Sequence, residues 1–521
     1  MRNDRHSSLR RASYRWIQRS KGRLITDSGP FSLAVPDVPS SPASSPLGDG
    51  KSSAGFSLPP SVPASPGVGG DALSERPPLP LLLMRRLRES SLHRNSAWIM
   101  SSILSTSGLG YIYWVVAAHL FAAQQIGLAT ALVSLMTVTA IVANLGTAPA
   151  LVQRLPTRAS IEDWSTTLSA SLLGGFGFGA VAGLLVLGGL GLFSHRLAVA
   201  QSDPALAVLL VLGTSFWAVS LVLDYTFIAE RQSRSMSIRG ALFAVVKIPL
   251  LAGPAIAYGS SSGATTIFAS WVIGCAISCV VGLLVMVPAL RPGFRLRWAG
   301  TATELREMSR LLAGNYLVTL GNTLPLYLLP VIVVSRISAT ANAYFYITWM
   351  VGGLFFMISS AAGSSLFAEG SAEPRRVAAA ARSSIRFTTL LLAPAMLFVF
   401  VAGKWLLSLF GAAYAENGTH LLWILAIAAI PDAITNIYGP VLRVRHRLFA
   451  AGAMTMAMAL MALIGAWVVA PTLRLDGIGL VWLASQTMGS IWVAWDTRAI
   501  SRAFQLTSAR RAAFASVLRN R

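Results

Sequence analysis

Twelve apolar runs, each near the ~20 residues that carry a helix across a bilayer, follow one another from Asn95 to about residue 500, with short polar loops between them. They fall at roughly 95–120, 125–150, 164–193, 205–229, 239–258, 264–290, 309–335, 340–367, 383–403, 418–440, 448–470 and 477–500. From Arg85 onward, one set of alternate loops with the C-terminal tail holds 27 Lys and Arg, whereas the other set holds only Arg196, Arg336, Lys404 and Arg474. Cytoplasmic segments retain positive charge, so the alternation predicts a multi-pass protein with both termini in the cytoplasm. One misplaced helix would invert the pattern from that point on.

The composition agrees: 54% of the 521 residues are hydrophobic and 12% charged, which predicts an all-α integral membrane protein. The net charge of +22 does not argue for nucleic acid, because the basic residues gather in loops and tails. Cys275 and Cys279, the two cysteines, are four apart in one apolar run and read as small packing residues.

Residues 1–84 are rich in Ser, Pro, Gly and Arg and lack apolar periodicity, so they are expected to be a disordered cytoplasmic tail. Its basic start, Arg2 to Arg23, fits a segment that touches anionic lipid; a passive tail, or translation starting at Met84, fits equally well. The remainder divides into six helices over 85–290, a cytoplasmic linker over 291–308, six helices over 309–501 and a basic tail over 502–521. Two six-helix bundles around a central cavity are the architecture this suggests.

Polar groups inside the runs point to that cavity. The seventh run carries Asn315, Thr319 and Asn322 on one face, with Tyr316, Thr323 and Tyr327 beside it, and Pro325 and Pro330 are expected to interrupt it. The first is similarly polar, with Ser102, Ser105, Thr106 and Tyr113, and has Gly108 and Gly110 where the seventh has prolines. Gly175, Gly179 and Gly183 in the third run predict close helix packing. Lys247 is the single Lys or Arg placed inside the hydrocarbon, about 12 Å along the helix from Arg239. Such a cation needs a partner or a water-filled cavity. Asp224, about 10 Å in from Arg231, is the expected charge partner, either as a permanent tie between two helices or as a hold released to a ligand. Asp432, after Pro431 and one turn from Asn436, is a candidate coupling site for a proton or cation, or else a neutral carboxyl bonded to a neighbouring helix.

The opening hairpin reads Gln124-Gln125-Ile126-Gly127, then Asn144-Leu145-Gly146 and Leu151-Val152-Gln153-Arg154. The second half has Phe367-Ala368-Glu369-Gly370 with Glu373, Arg375 and Arg376, then Leu409-Phe410-Gly411, Tyr414-Ala415, the run Leu421 to Tyr438, Val441-Leu442-Arg443 and Arg445-His446-Arg447. From Asn95 to about Arg502 the chain resembles the polysaccharide flippases, of O-antigen and teichuronic acid type, of the multidrug/oligosaccharidyl-lipid/polysaccharide exporter superfamily. The resemblance implies a cationic cavity that holds the diphosphate of a polyprenyl-linked oligosaccharide while two lobes rock in a bacterial cytoplasmic membrane. Lys247 is the deep cation available for this, and Arg154, Asn315 and Asn322 are further substrate-binding candidates; Arg154, Arg239 and Arg443 near helix ends also satisfy the positive-inside rule alone.

No covalent chemistry is expected. His119, His195, Asp203, Glu416, His420 and Asp476 form no recognisable catalytic constellation, and the external loops are short for a membrane glycosyltransferase or polymerase. A multidrug exporter of the same superfamily and that enzyme class stand as alternatives. No cofactor is implied beyond an ion gradient or the membrane potential; the expected partners are the lipid-linked oligosaccharide, the bilayer and the polymerase and glycosyltransferases of polysaccharide assembly.

Overall fold

The computed structural model describes residues 107–144, 147–258, 263–310, 313–372 and 377–519. The tail over 1–84, Asn95, Ser102, Ser105 and Thr106 lie outside the described residues. The chain is an all-helical, multi-span membrane protein. Residues 107–120 are helical (α1), followed by α2 (Ala123–Ala143), α3 (Thr147–Arg154), α4 (Ile161–Phe193), the short α5 (Val199–Ser202), α6 (Pro204–Ala229), α7 (Ser233–Tyr258) and α8 (Gly263–Leu290). After α9 (Thr301–Arg310) come α10 (Ala313–Arg336), α11 (Ala339–Ala372), α12 (Val377–Ser408), α13 (Ala412–Val444) and α14 (Leu448–Arg519).

Ten segments among the described residues are long and apolar enough to cross a membrane. The last runs from Leu448 to Arg498, 51 residues, which at ~1.5 Å per residue would measure about 75 Å against ~30 Å of hydrocarbon. It does not run straight, because Arg474, at φ 50° and ψ −135°, leaves the helical region and separates two helices. Arg474 belongs to the small set of basic residues at the arginine-poor loops, where a turn between two crossings is required.

Local chemistry sets the helix starts. Ser160 caps α4 by accepting from the Asp163 N–H at 3.0 Å, and Glu162 and Asp163 occupy its first turn, where the helix dipole favours anions. Asp203 caps α6 through the Ala205 N–H at 2.9 Å, with Pro204 in the first turn. In the Gln124-Gln125-Ile126-Gly127 stretch, Gln125 Oε1 accepts from the Ala122 N–H at 3.2 Å at the entry to α2. Gly127 is required there: a Cβ would run into the Ala339 carbonyl where α11 begins. Asn342 of α11 donates to the Gly127 carbonyl at 2.7 Å and lies 3.0 Å from Thr130 Oγ1. The two halves of the chain thus meet directly near their arginine-poor ends.

The buried side chains form clusters that follow the two halves. Trp164, Leu168, Leu223 and Phe227 belong to one in the first half; Leu329, Phe345, Leu425 and Ala466 belong to one in the second. A third joins them, bringing Tyr113, Trp114 and Ile126 against Ile347, Val351, Phe410 and Leu422. Gly175, Gly179 and Gly183 face α6, where a Cβ on Gly179 would come 2.9 Å from Ser215 Cα. Helix contact this close suits a membrane interior, where packing replaces the hydrophobic drive between helices.

One expectation is corrected here. Pro325 and Pro330 do not interrupt the seventh long helix, since α10 continues through both, as α7 does through Pro249 and Pro254. The 291–308 stretch has structure of its own. It contains most of α9, whose Glu304 takes Arg154, Arg158 and Thr167, at 3.4, 2.5 and 3.0 Å, while Glu307 takes Arg154 at 2.6 Å and Met308 is buried. α9 therefore docks on α3 and α4 through one charged and one apolar edge.

Candidate functional site

A cavity of about 870 Å³ lies between the two halves, lined by α1, α2, α6, α7 and α8 on one side and α10, α11, α13 and α14 on the other. Lys247, 14 residues into α7, lines its wall and is only 4% exposed. Its Nζ is 4.3 Å from the centre of the Trp271 ring, 4.6 Å from Tyr113 and 4.9 Å from Phe243. Tyr113 is held in place by a 2.8 Å hydrogen bond between its hydroxyl and Ser270. Among the described residues no carboxylate pairs with the ammonium. Three ring faces stabilise a desolvated cation by about 2 kcal/mol or more, without neutralising it.

Asp224 is not its partner, contrary to expectation. Asp224 Oδ1 is 2.6 Å from Arg239, whose guanidinium is 5% exposed and also reaches the Ser220 carbonyl and Ser278 Oγ at 3.3 Å each. The reason is register. The α6–α7 turn lies near Arg231, with seven residues back to Asp224 and eight forward to Arg239, whereas Lys247 lies a further eight on. In an antiparallel hairpin, equal distances from the turn meet, so the pair is 224 with 239.

Arg154 is likewise not in the cavity: α9 engages it, as described above. Asn322 lines the cavity, and the Asn315 side chain lies outside the described residues. Asp432 does line the cavity, buried at 5% exposure, and its Oδ2 accepts from Ser359 Oγ at 2.8 Å and Asn436 Nδ2 at 2.7 Å. Thr435 beside it donates to Gln486 Oε1 at 3.3 Å. The ionisable lining of the cavity therefore includes Lys247 on α7 and, on α13, Asp432 and a second basic residue, Arg443.

The tryptophans and Tyr346 of the lining are what the residue patterns did not reveal, although Tyr327, beside the polar face of its helix, is legible there. Trp217, Trp271, Tyr346, Trp349 and Trp482 all face the cavity. A signal existed: Trp and Tyr gather at membrane interfaces, and Trp217 and Trp349 sit near the middle of α6 and the first half of α11 instead. Elsewhere, His420 Nδ1 lies 3.8 Å from Asp476 Oδ2 on exposed surface, and Cys279 donates to the Phe216 carbonyl at 3.4 Å while both cysteines stay reduced and buried. Among the described residues no group of three His, Cys, Asp or Glu could hold a metal ion.

No family model matches the sequence, and no curated protein matches it. Solved structures do resemble the fold. The lipid II flippase MurJ in an inward closed conformation aligns with a TM-score of 0.59 at 11% identity, covering 77% of this chain and 87% of that one. The eukaryotic MATE transporter AtDTX14 aligns with a TM-score of 0.55 at 15% identity over 77% and 94%, and an inward-facing multidrug resistance MATE family transporter of the MOP superfamily with 0.53 at 14% over 79% and 96%. The chain has the helical fold that these three structures share.

Proposed function

We propose that the protein flips a polyprenyl-diphosphate-linked oligosaccharide across a bacterial cytoplasmic membrane by alternating access, for surface polysaccharide assembly, and has no covalent chemistry. The observation that carries this reading is Lys247, a buried cation without a carboxylate partner among the described residues, on the wall of a cavity between two halves. A diphosphate supplies the missing negative charge. The surrounding chemistry suits the remainder of such a substrate: sugar faces stack on rings such as Trp271 and Trp349, and sugar hydroxyls meet the amides of Asn322, Asn436 and Gln486. In this reading 85–290 and 309–501 are the moving bundles, 291–308 connects them, and the Arg-rich loops face the cytoplasm. Glycosyltransferases would supply the substrate and a polymerase would consume it.

One observation favours a multidrug exporter instead: Asp432 beside aromatic rings suits an organic cation. Full-length protein in liposomes separates the two. Under our reading, a fluorescent polyprenyl-diphosphate oligosaccharide moves between leaflets only when the protein is present, and ethidium does not accumulate. Ethidium transport without movement of the lipid-linked sugar would overturn it.

Asp432 is assigned the coupling role. Asp432→Asn keeps the size of the side chain and an acceptor for Ser359, but removes the charge that an entering proton or cation would meet. The variant is expected to move substrate at the rate seen without an imposed ion gradient, whether or not one is applied. Undiminished acceleration by the gradient would eliminate the assignment.

A further inference from the structure

α13 has two working faces. Asp432, Asn436 and Arg443 line the central cavity, while Ile430, Ile434, Ile437 and Val441 line a second cavity of about 890 Å³ with no residue in common. Its other walls come from α12, including Leu392 and Met396, and from Val493 of α14. The lining runs from residue 381 to 396 on α12 and from 430 to 445 on α13, about 22 Å at helical rise and longer than the ~15 Å of one leaflet's hydrocarbon. The third and fourth long helices of the first half, α4 and α6, are closed against one another by Gly175, Gly179 and Gly183.

The groove is apolar along its length and basic at one end. Arg445, at the C-terminal end of α13, lines it together with Thr497. Among the described residues no side-chain hydrogen bond or salt bridge engages the Arg445 guanidinium, whose charge acts on the nearby Asp496 and Tyr438, while its backbone N–H bonds the Val441 carbonyl at 3.1 Å. The nearby carboxylate, Asp496, is already held by Arg447 at 2.7 and 3.1 Å and by the Tyr438 hydroxyl at 2.6 Å. A cation at the Arg-rich end of a mostly apolar channel longer than one leaflet's hydrocarbon matches an amphiphile with one anionic head and a long chain.

We propose that this groove is a binding site for an anionic phospholipid of the adjacent leaflet, its phosphate on Arg445 and one acyl chain between α12 and α13. A glycosylated diphosphate lipid is a poorer match, because the groove offers its head one arginine and a few hydroxyls and no amide. The lipid would buttress the outer face of the helix whose inner face carries Asp432, so its occupancy reaches the central cavity through α13.

Native mass spectrometry of the full-length protein, released from nanodiscs of phosphatidylcholine and phosphatidylglycerol, tests this. Wild type is expected to retain one phosphatidylglycerol in preference to phosphatidylcholine. Arg445→Gln should weaken that retention about fivefold, the effect of one basic residue at a lipid surface. Ala393→Trp, at an exposed groove position, should abolish retention of both lipids. Equal retention of the two lipids by wild type, unchanged retention in both variants, or recovery of a polyprenyl diphosphate in place of phosphatidylglycerol would each overturn the proposal.

Discussion

Lys247→Met is expected to reach the membrane at the wild-type level and to move lipid-linked oligosaccharide about 10- to 150-fold more slowly, the factor corresponding to one lost charge-assisted hydrogen bond. The first half of this expectation follows from geometry. With no carboxylate opposite the ammonium among the described residues, its removal strands no buried anion there, and the methionine thioether fits among the rings of Tyr113, Phe243 and Trp271, 4.3 to 4.9 Å from Nζ. The second half follows from the proposed function: a charge held only by ring faces can exchange them for a phosphate more readily than one held by a salt bridge. Lys247→Arg should keep part of the rate, since a guanidinium stays charged and stacks on aromatic rings. A proteoliposome assay, read beside protein abundance, decides the matter. Wild-type flipping by the Met variant would show that the cation is packing chemistry and would return the search to Asn322 and Arg443.

The fold was legible because a bilayer imposes length and charge rules that act residue by residue. The apolar runs and the alternating arginines needed no tertiary information, and the Arg474 break falls where that alternation requires a turn. Part of the cavity lining was legible, either because one residue is unusual by itself, as with Lys247 and Asp432, or because it shares a polar helix face, as with Asn322. The aromatic cage of Lys247 was not, because Tyr113, Phe243 and Trp271 come from α1, α7 and α8 and no spacing within one helix unites them. The wrong partner for Asp224 arose from measuring depth on one helix from Arg231 and on the next from Arg239, although the second helix already begins at Ser233. Glu304, Leu305, Glu307 and Met308 could have marked α9, since residues three and four apart share a helix face. They lie in a stretch whose five arginines, Arg291, Arg295, Arg297, Arg306 and Arg310, mask that periodicity with positive charge.

The corrected pairing leads to the second large effect. Arg239 is 5% exposed and always charged, so truncating its counter-ion leaves a cation with only the Ser220 carbonyl and Ser278 hydroxyl as partners. Asp224→Leu is therefore expected to destabilise the protein by about 3 to 5 kcal/mol, seen as reduced membrane abundance and a lowered melting temperature in detergent. Arg239→Met should cost less, because the Asp224 side chain is 27% exposed and can take water in place of the guanidinium. Combining Asp224→Leu with Arg239→Met removes both charges, leaves two acceptors short of one donor group, and should recover most of the stability. The double variant should also flip substrate at a rate near wild type, because neither residue lines the central cavity. That outcome would separate two cations eight residues apart on one helix, one holding α7 to α6 and the other serving the ligand. Three variants with unchanged abundance would mean that the pair contributes nothing to folding. A stable but inactive double variant would move Arg239 from structure into transport.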